Sequence, residues 1–222
     1  MEEFIKLNNQ TNGRDKLARL IQYSVKSAWY ILQQQKLSSA KYVDILKSLE
    51  CNMANFRKVL RFGRFTDHLY LALFGKVSSV KPIAVASTTS KLAFAAFLLC
   101  DHILWIARVG LIDTDTDRWS KSANRYWAIS VCVQLLIDTY EIYRIVNSSK
   151  ISDRRSDIYL LLFHHRKDLA LDTLKNLLDL IIPLSGLGMI RVNPGLVGAV
   201  GMLTSIAGLL TLVNPQYKFS VS

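Results

Sequence analysis

One segment of 20 residues, 194–213 (PGLVGAVGMLTSIAGLLTLV), carries no charged side chain and restricts the possible folds more than any other part of the chain. A helix rises about 1.5 Å per residue, so this segment would be about 30 Å long, which is the thickness of the hydrocarbon core of a bilayer. Asn193-Pro194 favours a helix start, and Asn214-Pro215 favours its end. The sequence therefore predicts a transmembrane helix over 194–213.

The rest of the chain predicts further helices, because its apolar residues recur with a period near 3.6 and rarely alternate as they do in strands. The predicted helices cover 14–33, 40–53, 54–75, 83–107, 120–147 and 155–181. Ser120 is the predicted N-cap of its helix, 111–117 is a predicted loop, and Pro183 is predicted to end the helix before it. The predicted fold class is all-α: a membrane-associated helical protein with amphipathic helices and one or two transmembrane helices.

The apolar segment 83–107 is the second candidate span. A lysine at the centre of a transmembrane helix costs about 2.5–3.5 kcal/mol on insertion scales. Lys91 lies nearer the N-terminal end of the segment, where its side chain can reach the interface, and Asp101 and Trp105 lie near the other end. A buried helix in a bundle is the alternative for this segment.

Basic residues are concentrated before this second span. Residues 1–81 contain 14 Lys and Arg against 6 Asp and Glu, whereas residues 82–222 contain 14 against 11. We therefore divide the chain into a basic N-terminal helical region, 1–81, and a membrane-embedded region, 82–222. The positive-inside rule places the N-terminal region in the cytosol, and its charge favours an anionic phospholipid membrane as partner. No recognisable nucleic-acid-binding motif accompanies the charges, so no nucleic-acid partner is expected.

The predicted helix 54–75 combines a basic stripe with a broad apolar face. On a helical wheel Arg57, Arg61, Arg64 and His68 share one arc, opposite a face of aromatic and aliphatic residues. This pattern is typical of a helix that lies in a membrane interface and expands one leaflet, which favours tubules. The predicted lipid-binding residues are Arg57, Lys58, Arg61, Phe62, Arg64, Phe65, His68 and Leu69. Packing of this helix on other helices of the protein is the alternative.

Small residues recur along the predicted span 194–213. They are Gly195, Gly198, Gly201, Ser205 and Gly208. Small residues four positions apart allow two membrane helices to approach closely, so these five are the predicted oligomerisation residues. Glycine that is merely tolerated in lipid is the alternative.

The sequence lacks the patterns of an active site. None of its four histidines has metal-ligand spacing with Cys, Asp or Glu, and it contains no HExxH, GxSxG, Walker or GxGxxG motif. Asp113, Asp115 and Asp117 alternate as in a calcium-binding loop, but the glycine and glutamate of such a loop are missing. We predict that the protein is not an enzyme and that it uses no cofactor or metal.

Five segments, in order, resemble those of the peroxisomal membrane protein-eleven (peroxin-eleven) family. They are RDKLARLIQY (14–23), RKVLRFGRF (57–65), DHILW (101–105), LLDLIIPL (177–184) and NPGLVGAVGMLTS (193–205). The resemblance covers essentially the whole chain. Two departures accompany it: family members usually have Asp-Asn at Asp101-His102, and some carry a long glycine-rich insert where this chain has a short polar stretch near 148–156.

The resemblance implies a peroxisomal membrane protein that elongates and tubulates the organelle before fission. It also implies insertion of an amphipathic helix, self-association into a homo-oligomer, and recruitment of a dynamin-related fission GTPase with its tail-anchored adaptor. A pore or channel for small metabolites is the alternative function, with Lys91, Asp101, Asp138 and Arg144 facing a wet lumen. A membrane-anchored scaffold that only binds proteins is a third.

Overall fold

The computed structural model describes residues 7–35, 40–75, 78, 80–148 and 166–217. The prediction of an all-α fold is confirmed, since this part of the chain contains no strand. Its helices, numbered here in chain order, are α1 Thr11–Gln35, α2 Ala40–Leu60, α3 Arg64–Leu73, α4 Lys81–Val109, α5 Thr116–Ser148, α6 Lys167–Gly186 and α7 Pro194–Val213. A short 3-10 helix, Pro215–Tyr217, follows α7.

The helices pack side by side in a closed ring. Going round it, α1 contacts α7, α7 contacts α6, α6 contacts α5, and α5 contacts α4. The ring closes through α2, which packs on both α4 and α1, and α3 lies along α4. Helices from the basic N-terminal part of the chain are therefore packed together with the two candidate spans.

Two apolar clusters hold neighbouring helices together. Tyr23, Ile182, Val197 and Val200 join α1, α6 and α7. The second cluster joins α4 and α5 through Phe97, Leu98, Cys100 and Ala123. The indole of Trp127 packs against both clusters, so α5 links the two sides of the ring.

Both predicted spans are helices of the predicted type. The helix over 194–213 has the predicted bounds, and the side chain of Asn193 caps it by accepting a hydrogen bond of 2.7 Å from the N–H of Leu196. The second candidate, 83–107, lies within α4. Both helices are long and apolar enough to cross a membrane.

The predicted continuous helix 54–75 is wrong, because the chain breaks into α2 and α3 at 61–63. Gly63 has φ +80°, in the left-handed region that a side chain disfavours. The tight turn is closed by hydrogen bonds from the N–H of Phe62 to the carbonyl of Val59, 2.9 Å, and from Arg64 to Arg61, 3.1 Å. The basic stripe is therefore distributed over two helices and the turn between them.

Two other predicted helix ends are also wrong. Helix α5 begins at Thr116 rather than Ser120, because the carboxylate of Asp115 accepts the N–H of Arg118 at 3.0 Å and acts as the cap. Helix α6 continues through Pro183 to Gly186. Proline lies in the last turn, where the N–H of Leu187 still reaches the carbonyl of Pro183 at 2.9 Å. Residues 155–165 of the predicted helix lie outside the described residues.

Apolar side chains cover much of the outside of the ring. On α7 the exposed residues are Leu196, Leu203, Ile206 and Leu210, between 42% and 52% accessible. Large apolar side chains are also exposed on α2, α3, α4, α5 and α6. The buried set, by contrast, includes ionisable residues such as Asp15, Arg19 and Asp179. This polar-inside, apolar-outside arrangement suits a bundle whose surroundings are lipid.

The small residues of α7 face α1 of the same chain. A Cβ added at Gly198 would lie 2.6 Å from the backbone nitrogen of Ser27 and 2.8 Å from the carbonyl oxygen of Tyr23. The hydroxyl of Ser27 donates to the carbonyl of Gly195 at 2.9 Å. The absence of a side chain at Gly198 therefore sets how closely α1 and α7 approach.

We expect Gly198→Val to destabilise the protein by roughly 1–3 kcal/mol, because its side chain would push against backbone that cannot rotate away. Thermal unfolding of the purified protein in detergent micelles measures the effect. Leu203→Val, on the exposed face of the same helix, is the matched control and should change the midpoint little. Equal stability of the two variants would contradict the packing described.

Candidate functional site

The interior of the ring is a charged cavity of about 630 Å³. Helices α1 to α6 all contribute side chains to its wall, and the wall contains more basic than acidic residues. Aromatic rings, among them those of Phe94, Phe97 and Trp127, complete the lining. A volume of this size is typical of sites that bind small molecules.

One carboxylate organises the basic side of this cavity. Asp15 on α1 accepts a hydrogen bond of 3.0 Å from Nε of Arg57 on α2, and its oxygen lies 3.8 Å from Arg61. Arg61 in turn reaches Asp101 on α4 at 2.5 Å. Burial raises the pKa of Asp15, but the guanidinium groups of Arg57 and Arg61 outweigh burial and hold this pKa below 3.8. This network ties α1, α2 and α4 together.

A second buried ion pair joins α1 to α6. The guanidinium of Arg19 pairs with Asp179 and also donates to the hydroxyl of Thr204 on α7 at 3.1 Å. Its charge lies within 6 Å of the ring centres of Tyr23 and Trp127. Arg19 thus contacts three helices besides its own.

Lys16 lies in the same cavity without a carboxylate partner. No carboxylate among the described residues lies within 4 Å of its Nζ, and its stem crosses α7 at Gly208. The pKa of Lys16 is lowered from 10.5 to about 7: burial has the largest effect, the charge of Arg19 adds to it, and Asp179 and Asp15 oppose it. An incompletely paired cation in this position costs stability.

Helix α3 presents its two faces to different surroundings. Arg64 and His68 line the cavity. Phe62, just before the helix, and Leu69, Tyr70, Leu73 and Phe74 are between 39% and 72% exposed. We call these five residues the apolar α3 surface. It adjoins a candidate span, because Phe62 packs on Trp105 and His68 packs on Phe94, both in α4.

His102 fixes the turn before α3. Its Nε2 accepts a hydrogen bond of 2.7 Å from the N–H of Gly63, while its Nδ1 hydrogen-bonds the carbonyl of Leu98. A neutral imidazole with its proton on Nδ1 satisfies both contacts. The rings of Phe62 and Phe65 also pack on this imidazole, at 4.7 and 5.6 Å between centres. His102 therefore positions α3 on α4.

The predicted lipid-binding residues fall into three groups. Phe62 and Leu69 are exposed on the apolar α3 surface. Arg57 is buried, and the side chain of Arg61 is only 11% exposed, since both pair with carboxylates inside the protein. The remaining four, Lys58, Arg64, Phe65 and His68, are half-buried. The basic stripe thus faces the cavity in this structure, and lipid binding by its members stays a prediction.

The predicted oligomerisation residues are packed within the chain itself, where α1 covers the four glycines. Tyr30, Ser27, Tyr23 and Lys16 of α1 cover Gly195, Gly198, Gly201 and Gly208, in that order. Ser205 is fully buried and donates to the carbonyl of Gly201. Self-association through this face stays a prediction, and it would require α1 to move away.

Other parts of the site were not found from the sequence. Asp15, Arg19 and Gln22 lie on one face of α1, and Asp172, Asn176 and Asp179 lie on one face of α6. The available signal was the helical spacing of these polar residues, three or four positions apart along each helix. Of the residues considered for a channel, Lys91 and Asp101 line the cavity. The other two, Asp138 and Arg144, are not among its lining residues: Arg144 pairs with Glu141 at 3.1 Å, and Asp138 accepts a hydrogen bond of 2.9 Å from the side-chain amide of Asn176.

Comparisons with known proteins show the family of this chain. The chain matches the family model described as Peroxisomal biogenesis factor 11 (PEX11) over residues 1–213. Peroxisomal membrane protein 11A of Bos taurus is 31% identical over 244 aligned residues, and the alignment covers 98% of each chain. The human protein of that name is also 31% identical, over 245 residues and 98% of each chain. Peroxisomal biogenesis factor 11 of Schizosaccharomyces pombe is 27% identical over 218 residues, with 91% of this chain and 90% of its own covered. No solved structure matches the chain.

The fold and site define a helical membrane protein with two helices that can cross a bilayer and a polar interior. More particularly, the chain belongs to the PEX11 family of peroxisomal biogenesis factors. The resemblance seen in the sequence is therefore confirmed. Members of this family are biogenesis factors and are not known enzymes.

Asp15→Asn should destabilise the protein by roughly 3–5 kcal/mol, because it leaves two buried guanidinium groups without their shared carboxylate. Thermal or urea unfolding in detergent measures the loss. Asp67→Asn removes the same charge from an exposed position of α3 and should cost less than about 1 kcal/mol. A loss at Asp15 no larger than at Asp67 would contradict the buried network.

Lys16→Met should raise stability at pH 7 by at least about 1 kcal/mol, or roughly 2–4 °C. The folded wild-type chain releases the Lys16 proton near pH 7, whereas the unfolded chain holds it to about pH 10.5. The unfolded chain thus binds more protons in between, so wild-type stability rises from pH 7 towards pH 10.5. Lys16→Met should reduce this rise, and Lys121→Met, at an exposed site, should retain it. Unfolding midpoints that change with pH equally in both variants would contradict the assignment.

Proposed function

We propose that this protein remodels the peroxisomal membrane without catalysing a reaction: it elongates and tubulates the organelle and so promotes peroxisome proliferation and fission. Membership of the PEX11 family supports this function. The observation that carries the mechanism is the apolar α3 surface, because several large apolar side chains are exposed next to a candidate span.

The proposed mechanism is insertion of the apolar α3 surface into the boundary between headgroups and acyl chains of one leaflet. Exposed Leu69, Leu73 and Phe74 supply the inserted volume, and expansion of that leaflet favours positive curvature. Lys41 and Lys47 remain exposed on α2 and can attract anionic phospholipids at about 1 kcal/mol each. This version of the mechanism needs no release of Arg57 or Arg61 from their ion pairs.

Several further features belong to the same proposal. The N-terminus lies on the cytosolic side of the membrane, and α1, α2 and α3 of the region 1–81 pack against the spans of the membrane-embedded region, 82–222. The protein acts as a homo-oligomer, and it recruits the dynamin-related fission GTPase and its tail-anchored adaptor. The basic charge before α4 supports the cytosolic placement.

Phe62→Glu combined with Leu69→Glu should abolish tubulation of anionic vesicles by the full-length protein, because two carboxylates would have to enter the acyl region. Electron microscopy of the vesicles, scored for tubules, is the measurement. The control Ser48→Glu combined with Asn52→Glu adds the same charge at exposed polar positions of α2 and should retain tubulation. Unchanged tubulation by the Phe62/Leu69 variant would exclude the insertion mechanism.

The cavity favours a second candidate function, a channel for small metabolites. Lys91 and Asp101 are charged residues on a candidate span, and both line the interior space. A charged residue at membrane depth commonly marks a pathway for solutes.

If the channel exists, purified protein should conduct ions in planar bilayers, and Lys91→Met should reduce the conductance or alter its selectivity. Lys121→Met removes an equal charge outside the cavity and serves as the control. Absence of conductance, or equal conductance in both variants, would leave remodelling as the function.

A further inference from the structure

The cavity has an excess of positive charge that its own acidic residues do not balance. Eight Lys and Arg side chains and four Asp side chains line it. Each of the four carboxylates already has a basic partner: Arg57 and Arg61 for Asp15, Arg61 for Asp101, Lys175 for Asp172, and Arg19 for Asp179. A surplus of four basic side chains remains.

These four cations line the same cavity and come from four helices. Lys16 comes from α1, Lys58 from α2, Arg64 from α3 and Lys91 from α4. Among the described residues none of the four has a carboxylate oxygen within 4 Å. Like charges that repel one another in a shared space destabilise the fold unless an anion joins them.

A buried donor in the same wall also lacks a partner. Arg19 is 4% exposed, and no acceptor in the described part of the chain lies within hydrogen-bonding distance of its Nε. Such an unpaired group costs free energy, so its persistence needs a reason. The depressed pKa of Lys16 also indicates that the protein alone does not compensate its charge.

We propose that the cavity is a binding site for an organic phosphate anion. A phosphate group carries up to two charges and several strong acceptor oxygens, so an organic phosphate that fills the cavity can pair with surplus cations of its wall such as Lys16, Lys91 and Arg64. The cavity volume of about 630 Å³ is larger than a lone phosphate occupies. The rings of Phe94 and Trp127 form an apolar wall that can contact the organic part of an organic phosphate. The phosphate can belong to a soluble metabolite or to a lipid headgroup.

This site is distinct from the surface proposed to bend the membrane. Arg64 and His68 face the cavity, whereas Leu69 and Leu73 are exposed on the outside of the same helix. Binding of the anion and tubulation of vesicles can therefore be tested with different variants.

Calorimetric titration of inorganic pyrophosphate into full-length protein tests the proposal, with the protein in nanodiscs of phosphatidylcholine at pH 6.5. We expect saturable binding that Lys16→Met weakens at least five-fold. Lys121→Met, which removes an equal charge at an exposed site outside the cavity, should weaken it less than two-fold. Lys91→Met tests the opposite wall and should also weaken binding at least five-fold, and thermal unfolding verifies that each variant is folded.

A second titration, in nanodiscs that also contain phosphatidylinositol 4-phosphate, distinguishes the two sources of phosphate. Weaker pyrophosphate binding there, relative to phosphatidylcholine alone, would assign the site to a lipid headgroup, and unchanged binding would assign it to a soluble phosphate. No saturable binding, or an equal effect of Lys16→Met and Lys121→Met, would overturn the proposal. The proposal fails on the binding measurement, whereas the remodelling function fails on the tubulation of vesicles by the wild type and the Phe62/Leu69 variant, so the two failures are distinguishable.

Discussion

The carboxylate of Asp15, held between Arg57 and Arg61, determines which side of the α2–α3 region faces inwards. Without it, the basic stripe would be free to face phospholipid headgroups. With it, the stripe lines the interior, and Arg61 extends the network to Asp101 on a candidate span. The opposite, apolar side of the region is then left exposed. The cationic cavity follows from this interaction, and the hydrogen bond from the N–H of Gly63 to His102 completes the orientation of α3 with its apolar surface outwards.

The resulting bundle has ion pairs buried inside and many large apolar residues exposed outside. Such an arrangement is unfavourable in water, where about 25 cal/mol is lost for each Å² of apolar surface left exposed. In a bilayer the same surface meets acyl chains, and the internal ion pairs are kept away from lipid. A lipid-facing apolar surface and a polar interior therefore have one physical origin.

The sequence predicted local features well and distant contacts poorly. The helix 194–213 was found with its cap because an uncharged run and Asn193-Pro194 are local signals. The break at Gly63 was missed because a helical wheel treats glycine as one more small residue, although its positive φ ends the helix. The sequence did not show that the basic stripe faces the cavity rather than the membrane, because the carboxylate partner of Arg57 lies 42 residues away along the chain. For the same reason, the sequence did not reveal that α1 covers the small residues of α7.

Accessibility of nitroxide spin labels tests the polar-inside, apolar-outside arrangement most directly. Labels at Leu69→Cys and Ala54→Cys, in a chain whose native cysteines are replaced, report on the apolar α3 surface and on the cavity wall respectively. With the protein in liposomes, the label at 69 should collide readily with oxygen and rarely with a water-soluble nickel chelate. The label at 54 should be less accessible to oxygen than the label at 69. Greater oxygen accessibility at 54 than at 69 would contradict the account.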